Sequence, residues 1–250
     1  MKLASLWTQV PGGIVHSRAN VGCPRPQRNS VVVLVHGLVI SSRYMVPTAE
    51  QFAPLCRVYA VDLPGYGKSY KPSDVLTLPE LADAIARWMD AMTISTAHLV
   101  ANSFGCQILA EFALRHPHRI DRLVFQGPTV DPRARTVWRQ LGRLLLNSAR
   151  EAPGLGWITM KDYLAAGLRR VRGTIVMALA DRIEDKLPKV TAPTLVVRGE
   201  KDPLVPQRWA EEVTRLLPYG ELRILPGKAH TINYTAPREF VEVMRPFLNL

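Results

Sequence analysis

Residues 97–112, AHLVANSFGCQILAEF, decide how this chain folds. The first part reads as a strand ending at Ala101, and the second as a helix running toward Pro117. Ser103 stands at the turn, inside a small-x-Ser-x-Gly pattern made by Ala101, Asn102, Ser103, Phe104 and Gly105. A serine on a sharp strand-to-helix turn has a strained backbone. The residues two before and two after it must be small, so that strand and helix can pass closely. The same turn sets the N–H of Phe104 and the helix N-terminus beside the serine oxygen, where negative charge can be held. Taken alone, the pattern equally describes a serine N-cap, so its meaning rests on its surroundings.

Those surroundings alternate between strands and helices. A short pair at Leu6–Val10 and Ile14–Arg18 is broken by Pro11-Gly12-Gly13. VVVLV at 31–35 is a β-branched run, the signature of a strand buried on both faces. VYAV at 58–61 reads as another strand. Leu78, Leu81, Ile85, Met89 and Met92 then recur every three or four residues, which places one apolar stripe on a helix. Strands follow at 98–101, 120–125, 194–197 and 221–225, with helices near 207–217 and from Pro237. Repeated strand–helix units predict a mostly parallel sheet with helices on both faces. Between 131 and 187 the strands stop and amphipathic helical spacing takes over. That stretch is expected to be a helical cap inserted after the sixth strand, with 1–130 and 188–250 forming one core domain.

A chain of 250 residues, 47% hydrophobic and 21% charged with mean hydropathy +0.01, is a globular protein and not a disordered one. Three widely spaced cysteines, Cys23, Cys56 and Cys106, offer neither a disulfide framework nor a zinc-ligand spacing. No apolar run approaches the roughly 18 residues that a membrane span needs. The opening MKLASLWTQVPGG has too short an apolar stretch for a secretory leader, so a cytoplasmic location is expected. The less ordinary property is charge: 32 Lys+Arg against 21 Asp+Glu give +11 and a pI near 10.0. Residues 131–187 hold eleven of the basic groups and six of the acidic ones. No nucleic-acid module or interleaved aromatic pattern accompanies them, so neither a nucleic-acid nor a membrane partner is expected. The arginines read as solvated faces of the cap helices, with an acidic substrate as the sharper alternative. Residues 24–28, PRPQR, form a further basic loop.

A nucleophilic serine needs a base, and the base needs an acid to orient it. His230 follows the last strand in LPGKAH, and Asp202 follows the preceding strand in VVRGEKDP. Both stand at C-terminal strand ends, where parallel sheets hold their ligands. The order Ser, Asp, His is a recognised one for such triads. His36, directly after a strand, is the competing base; Asp131 and then Glu200 are the competing acids. GYGKS at 65–69 imitates the tail of a phosphate-binding loop, but Asp62 stands where that loop needs its first glycine.

With VVVLVHG, VYAVDLPGYGKS, LVANSFGCQ, TLVVRGEKDP and LPGKAH in place, the chain resembles α/β-hydrolase-fold serine hydrolases over nearly its whole length. The resemblance implies an eight-stranded, mostly parallel sheet and a Ser103–Asp202–His230 triad. It implies an oxyanion hole from the backbone N–H groups of Leu38 and Phe104, with Val39 as a weaker second donor. It implies no metal and no organic cofactor, and a monomer or homodimer. Departures from the pattern are Ala101 in place of glycine, and Cys106, which reads as core packing. Ser103 itself argues against the branches that use Asp as nucleophile. The Leu-Val-Ile-Ser-Ser after His36-Gly37 weakens a C–C bond hydrolase reading, and Thr-Ile-Asn after His230 departs from type II thioesterases. The expected activity is hydrolysis of a carboxylic ester, or a related acyl bond such as a lactone, in a small or medium substrate. The alternatives are a C–C bond hydrolase and a slow-turnover ligand-binding protein. Val39, Trp138, Trp157, Met160, Tyr163, Met177 and Leu204 are candidates for the substrate pocket.

Overall fold

In the computed structural model, which describes residues 3–20 and 30–250, every residue of the Val31–Val35 strand is buried. Alternate side chains enter opposite layers. Val31, Val33 and Val35 pack with Leu99, Ala101, Leu123 and Phe125 on one face of a sheet. Val32 and Leu34 pack with Val100, Val124, Leu195 and Val197 on the other. The period-two geometry of a strand thus divides a continuous apolar run between two cores.

Eight strands form one sheet: β1 (Ala4–Val10), β2 (Gly13–Ala19), β3 (Val31–Val35), β4 (Arg57–Val61), β5 (Ala97–Asn102), β6 (Ile120–Gln126), β7 (Thr194–Gly199) and β8 (Gly220–Leu225). Their order is β1-β2-β4-β3-β5-β6-β7-β8. The first hairpin and the β2–β4 pairing are antiparallel, and the pairings across β4, β3, β5, β6, β7 and β8 are all parallel. The predicted sheet and its flanking helices are therefore present. The N-terminal strands are longer than the spacing of apolar residues suggested, because Ala4↔Ala19 and Ser5↔Arg18 extend the ladder. The basic loop at 24–28 and Cys23 lie outside the described residues.

One face is covered by α2 (Leu78–Ala91), α3 (Phe104–Arg115) and α8 (Gln207–Leu216). The other is covered by α1 (Val46–Phe52) and α10 (Pro237–Leu248). The start of α2 is set by a capping box: Glu80 accepts from the Thr77 N–H at 2.7 Å, and Thr77 Oγ1 accepts from the Glu80 N–H. Between β6 and β7 the chain is helical, through α4 (Val137–Ser148), α5 (Pro153–Ala166), α6 (Leu168–Ala180) and the single turn α7 (Ile183–Lys186). A further short helix, α9 (Ile232–Thr235), follows β8. No helix among the described residues is long and apolar enough to cross a membrane.

The GYGKS turn has a structural explanation. The Asp62 carboxylate accepts from the Ser42 N–H at 2.6 Å and the Lys68 N–H at 2.9 Å, and meets His16 Nδ1 at 2.8 Å. Gly67 has φ +53, and a Cβ there would fall 2.3 Å from the Asp62 carboxyl carbon. The turn closes around a carboxylate from its own chain and leaves no phosphate cradle. Burial, the largest effect, disfavours the charged form of Asp62. The hydrogen bonds from His16, Lys68 and Ser42 outweigh it, and the pKa falls from 3.8 to about 2. Because the folded pKa is the lower one, Asp62 stabilises the fold above pH 3.8, and that contribution is lost as pH falls toward 2. The difference is worth about 2 kcal/mol. Asp62→Asn is expected to lower the unfolding free energy at pH 7 by about 2–4 kcal/mol, with the gap to wild type narrowing in acid. Chemical denaturation at pH 7 and near pH 3 measures both; equal stability at pH 7 would contradict the assignment.

Candidate active site

Ser103 occupies the junction of β5 and α3 with φ 56 and ψ −122, a backbone conformation that costs about 1–3 kcal/mol for a non-glycine residue. The steric requirement inferred from the sequence has a measurable form. A Cβ on Gly105 would lie 2.7 Å from the His36 carbonyl oxygen and 3.0 Å from that of Val35. It would also stand 3.2 Å from the Ala101 Cβ, so alanine is accommodated at 101 only because 105 is bare. The Ser103 N–H is taken by the Gln126 carbonyl at 2.9 Å. That of Gly37 is taken by Tyr44 Oη at 2.8 Å. Among the described residues no acceptor occupies the N–H of Leu38 or Phe104, the two expected oxyanion donors. Val39, next to Leu38, has φ 57. A β-branched residue there is strained, and neither composition nor spacing announces it.

His230 and Asp202 lie in hydrogen-bond contact. Nδ1 of His230 lies 2.7 Å from Asp202 Oδ2, and both side chains are buried. The other Asp202 oxygen accepts from the N–H groups of Leu204 at 2.8 Å and Val205 at 3.1 Å, which fixes the carboxylate. Among the described residues Nε2 of His230 is buried and has no hydrogen-bond partner, Ser103 Oγ included. Burial, the strongest influence, disfavours the imidazolium, yet the Asp202 charge and hydrogen bond, helped by Glu151, raise the His230 pKa above 6.5. Gly127, at φ +58 just after β6, lies against this pair: a Cβ would come 2.8 Å from His230 Cε1 and 3.3 Å from Asp202 Oδ2.

The competing candidates are committed elsewhere. His36 uses Nδ1 on the Gly37 carbonyl at 3.0 Å and accepts the Leu63 N–H on Nε2 at 3.1 Å, and burial lowers its pKa. Asp131 is fully buried between Arg143 at 2.9 Å and Arg208 at 2.5 Å. Glu200 accepts from the Gly227 N–H at 2.7 Å. Cys106 is buried, with Sγ donating to the Ala101 carbonyl at 3.5 Å, and burial holds its thiol pKa well above the ordinary range. A hydrogen-bonded Ser–His–Asp series runs instead from β1 through β2 to the residue after β4, where His16 Nε2 lies 3.0 Å from Ser5 Oγ and Nδ1 lies 2.8 Å from Asp62. Ser5 sits inside an edge strand, with no strained turn and no helix N-terminus beside it. That alignment has the side chains of a triad without the charge-stabilising frame.

Several supporting residues escaped the sequence reading. Tyr44 Oη donates to Asn102 Oδ1 at 2.5 Å, Asn102 Nδ2 to Gln126 Oε1 at 2.5 Å, and Gln126 Nε2 to the His230 carbonyl at 2.5 Å. This buried chain ties the Gly37 loop, the Ser103 turn and the His230 loop together. From the helical segment, Asn147 Oδ1 accepts the His230 N–H at 3.2 Å, and Glu151 accepts the Thr231 N–H at 2.8 Å. Asn102 and Gln126 are polar residues that close two neighbouring apolar strands, the one sequence signal among them; nothing comparable marks Tyr44, Asn147 or Glu151.

The expected pocket residues divide into two groups. Leu38, Val39, Phe104, Tyr163, Met177 and Leu204 all belong to or pack on one apolar cluster. Tyr163 is buried enough to push its hydroxyl pKa up to about 12. Trp138, Trp157 and Met160 do not join them: Trp138 is 81% exposed and Trp157 57%. These three lie on the outward faces of α4 and α5, so the expectation that they line the pocket is corrected. A surface hollow lined by Val31, Arg57, Thr96 and Asp121 sits where β3 to β6 begin. That is the opposite end of the parallel strands from Ser103.

The profile of the alpha/beta hydrolase family matches residues 32–243. A Caulobacter protein named as a carbamate hydrolase, RutD, is 27% identical over 91% of this chain and 93% of its own length. The pimeloyl-[acyl-carrier protein] methyl ester esterase of Photobacterium profundum is 26% identical over 88% of this chain and 95% of its own. Among solved structures, carboxylesterase CesB of Bacillus subtilis superposes with a TM-score of 0.76 at 20% identity, covering 99% of this chain and 92% of that one. With the sheet order, the strained serine turn and this match over most of its length, the chain belongs to the alpha/beta hydrolase family.

Proposed function

We propose that this hydrolase cleaves a carboxylic ester, or a related acyl bond such as a lactone, with Ser103 as nucleophile, His230 as base and Asp202 as the residue that orients it. The observations that carry the reading are the fixed His230–Asp202 pair, whose far nitrogen is buried and, among the described residues, unpartnered, and a serine held on a strained turn at the end of β5. In this mechanism His230 Nε2 takes the Ser103 proton as Oγ attacks the carbonyl carbon. The N–H groups of Leu38 and Phe104 hold the oxyanion that forms. The proton then passes from His230 to the leaving oxygen, which departs and leaves Ser103 acylated. Water, deprotonated by the same nitrogen, attacks the acyl group and releases the acid. Asp202 keeps the proton on Nδ1 and stabilises the imidazolium between these steps.

The helical segment 131–187 acts as a cap over this site, with Tyr163 and Met177 on its inner side. The apolar surroundings of Leu38, Phe104 and Leu204 favour an uncharged acyl group of modest size. A second reading, carbamate hydrolysis, is supported by the full-length similarity to RutD-named proteins and needs the same residues. A panel of 4-nitrophenyl esters, carbamates, lactones and a vinylogous diketone separates the readings. Preferred turnover of the diketone with weak ester activity would assign C–C bond cleavage instead.

Ser103→Ala is expected to lower kcat on the best ester by about four to six orders of magnitude and to abolish labelling by a fluorophosphonate probe. Undiminished turnover, or labelling that persists at Ser5, would contradict the assignment. The base must be neutral to act, so kcat/KM is expected to fall as pH drops through the raised His230 pKa. The acid limb therefore lies above pH 6.5. Glu151→Gln removes a charge that favours the imidazolium and is expected to move that limb to lower pH. A pH–rate profile of the two proteins measures the shift; coincident limbs would remove Glu151 from the account.

A further inference from the structure

Helix α4 is amphipathic in the reverse of the usual sense, and α5 is apolar on its outer side as well as its inner one. A surface helix ordinarily hides its apolar stripe and shows its polar one. On α4 the inward row is Gln140, Arg143 and Asn147. These donate to the Ala134 carbonyl at 2.8 Å, pair with Asp131 at 2.9 Å, and accept the His230 N–H at 3.2 Å, respectively. The opposite row, Trp138, Leu141 and Leu145, faces solvent, with Leu145 64% exposed. On α5 the inward side includes Leu155 and Asp162, whose carboxylate accepts from the Ser41 N–H at 2.9 Å and hydroxyl at 2.7 Å. Trp157, Met160 and Leu164 face outward, with Leu164 76% exposed. Two neighbouring helices in sequence therefore present tryptophans, leucines and a methionine to the outside, a surface of the kind that marks an interaction site.

Charge selects the occupant. Arg133, Arg139, Arg150, Lys161 and Arg172 are exposed along the same segment, and among the described residues none pairs with a carboxylate. The two carboxylates between residues 133 and 172, Glu151 and Asp162, are bonded to Thr231 and Ser41 of the core. The outer side thus carries cations without their counterions. Two copies of this chain meeting face to face would oppose those cations. A surface of anionic lipid offers apolar tails to the aromatic and aliphatic side chains and phosphates to the arginines. With no helix able to cross a membrane among the described residues, the contact is peripheral.

We propose that the outward faces of α4 and α5 dock this protein onto an anionic lipid surface. Trp138, Leu145, Trp157 and Leu164 enter the interfacial layer, and Arg133, Arg139 and Lys161 engage headgroup phosphates. The inner row of α4 holds the His230 backbone through Asn147, so the docking face backs directly onto the candidate site. The inference concerns binding alone and stands independently of the proposed reaction.

Co-sedimentation of the full chain with vesicles tests it. Vesicles of about three parts phosphatidylglycerol to seven of phosphatidylcholine are compared with pure phosphatidylcholine. Partition onto the anionic vesicles is expected to be at least about tenfold stronger, and to weaken steeply as salt rises from about 0.05 to about 0.5 M. Trp138→Ser with Leu145→Ser is expected to weaken binding by at least about tenfold. Arg133→Glu with Arg139→Glu is expected to remove the preference for anionic vesicles. Equal partition on both vesicle types, no partition, or binding unchanged in folded variants would overturn the proposal. So would a concentration-dependent dimer in sedimentation velocity that the serine variant dissolves, which would give the face to a second copy. The salt and lipid comparisons use the unmodified protein, so they decide the matter even where a variant fails to fold.

Discussion

The close passage of α3 beneath the end of β3 is the constraint on which the site depends. The bare Cα of Gly105 lies where any side chain would strike the His36 and Val35 carbonyl oxygens. That contact lets the chain reverse from β5 into α3 within one residue, and Ser103 absorbs the strain. The strain stabilises nothing by itself. It is held by the parallel pairing of β5 with β3 and β6, whose buried apolar runs fix the strands in register. The sheet thus supplies the free energy that a strained serine costs, and the turn places that serine at the strand ends where the Asp202 and His230 loops also emerge.

A second layer of organisation is polar and buried. Tyr44, Asn102 and Gln126 connect the Gly37 loop to the His230 loop through hydrogen bonds that pass under the serine turn. Removing one member would leave its partners unsatisfied in a low-dielectric interior, which is why such chains behave as units. Asn147 and Glu151 reach the same loop from the helical segment. The His230 loop is therefore held from the core on one side and from that segment on the other. Its imidazole stays on Asp202 while its second nitrogen remains unbonded.

Much of this was legible in the sequence, and the physical reasons differ from part to part. Buried parallel strands are apolar runs, so β3 to β8 could be read along with the helices between them. Ser103, Asp202 and His230 could be singled out as candidates because each lies in the segment that leaves the end of a strand, and the fold brings strand ends together. Asn102, Gln126 and Tyr44 were not, because polar residues become meaningful only when contacts across many residues are known. Helical periodicity identified a stripe on α4 without saying which side faces inward. Trp138, Trp157 and Met160 were accordingly assigned to a pocket, whereas inward-facing Asn147 and Asp162 make the contacts with the core. The clustering of positive charge between 131 and 187 was visible at once; its separation from any exposed counterion along α4 and α5 required coordinates.

The central claim is that Ser103 becomes covalently acylated while His230 and Asp202 shuttle and hold the proton. It is tested most directly by mixing the protein with a turned-over ester, quenching in acid within the first turnovers, and mapping the adduct by peptide mass spectrometry. The account predicts one acyl group, on Ser103, appearing in step with the first release of alcohol and absent from Ser103→Ala. Steady ester turnover with no adduct on Ser103, or with the acyl group on another residue, would contradict it.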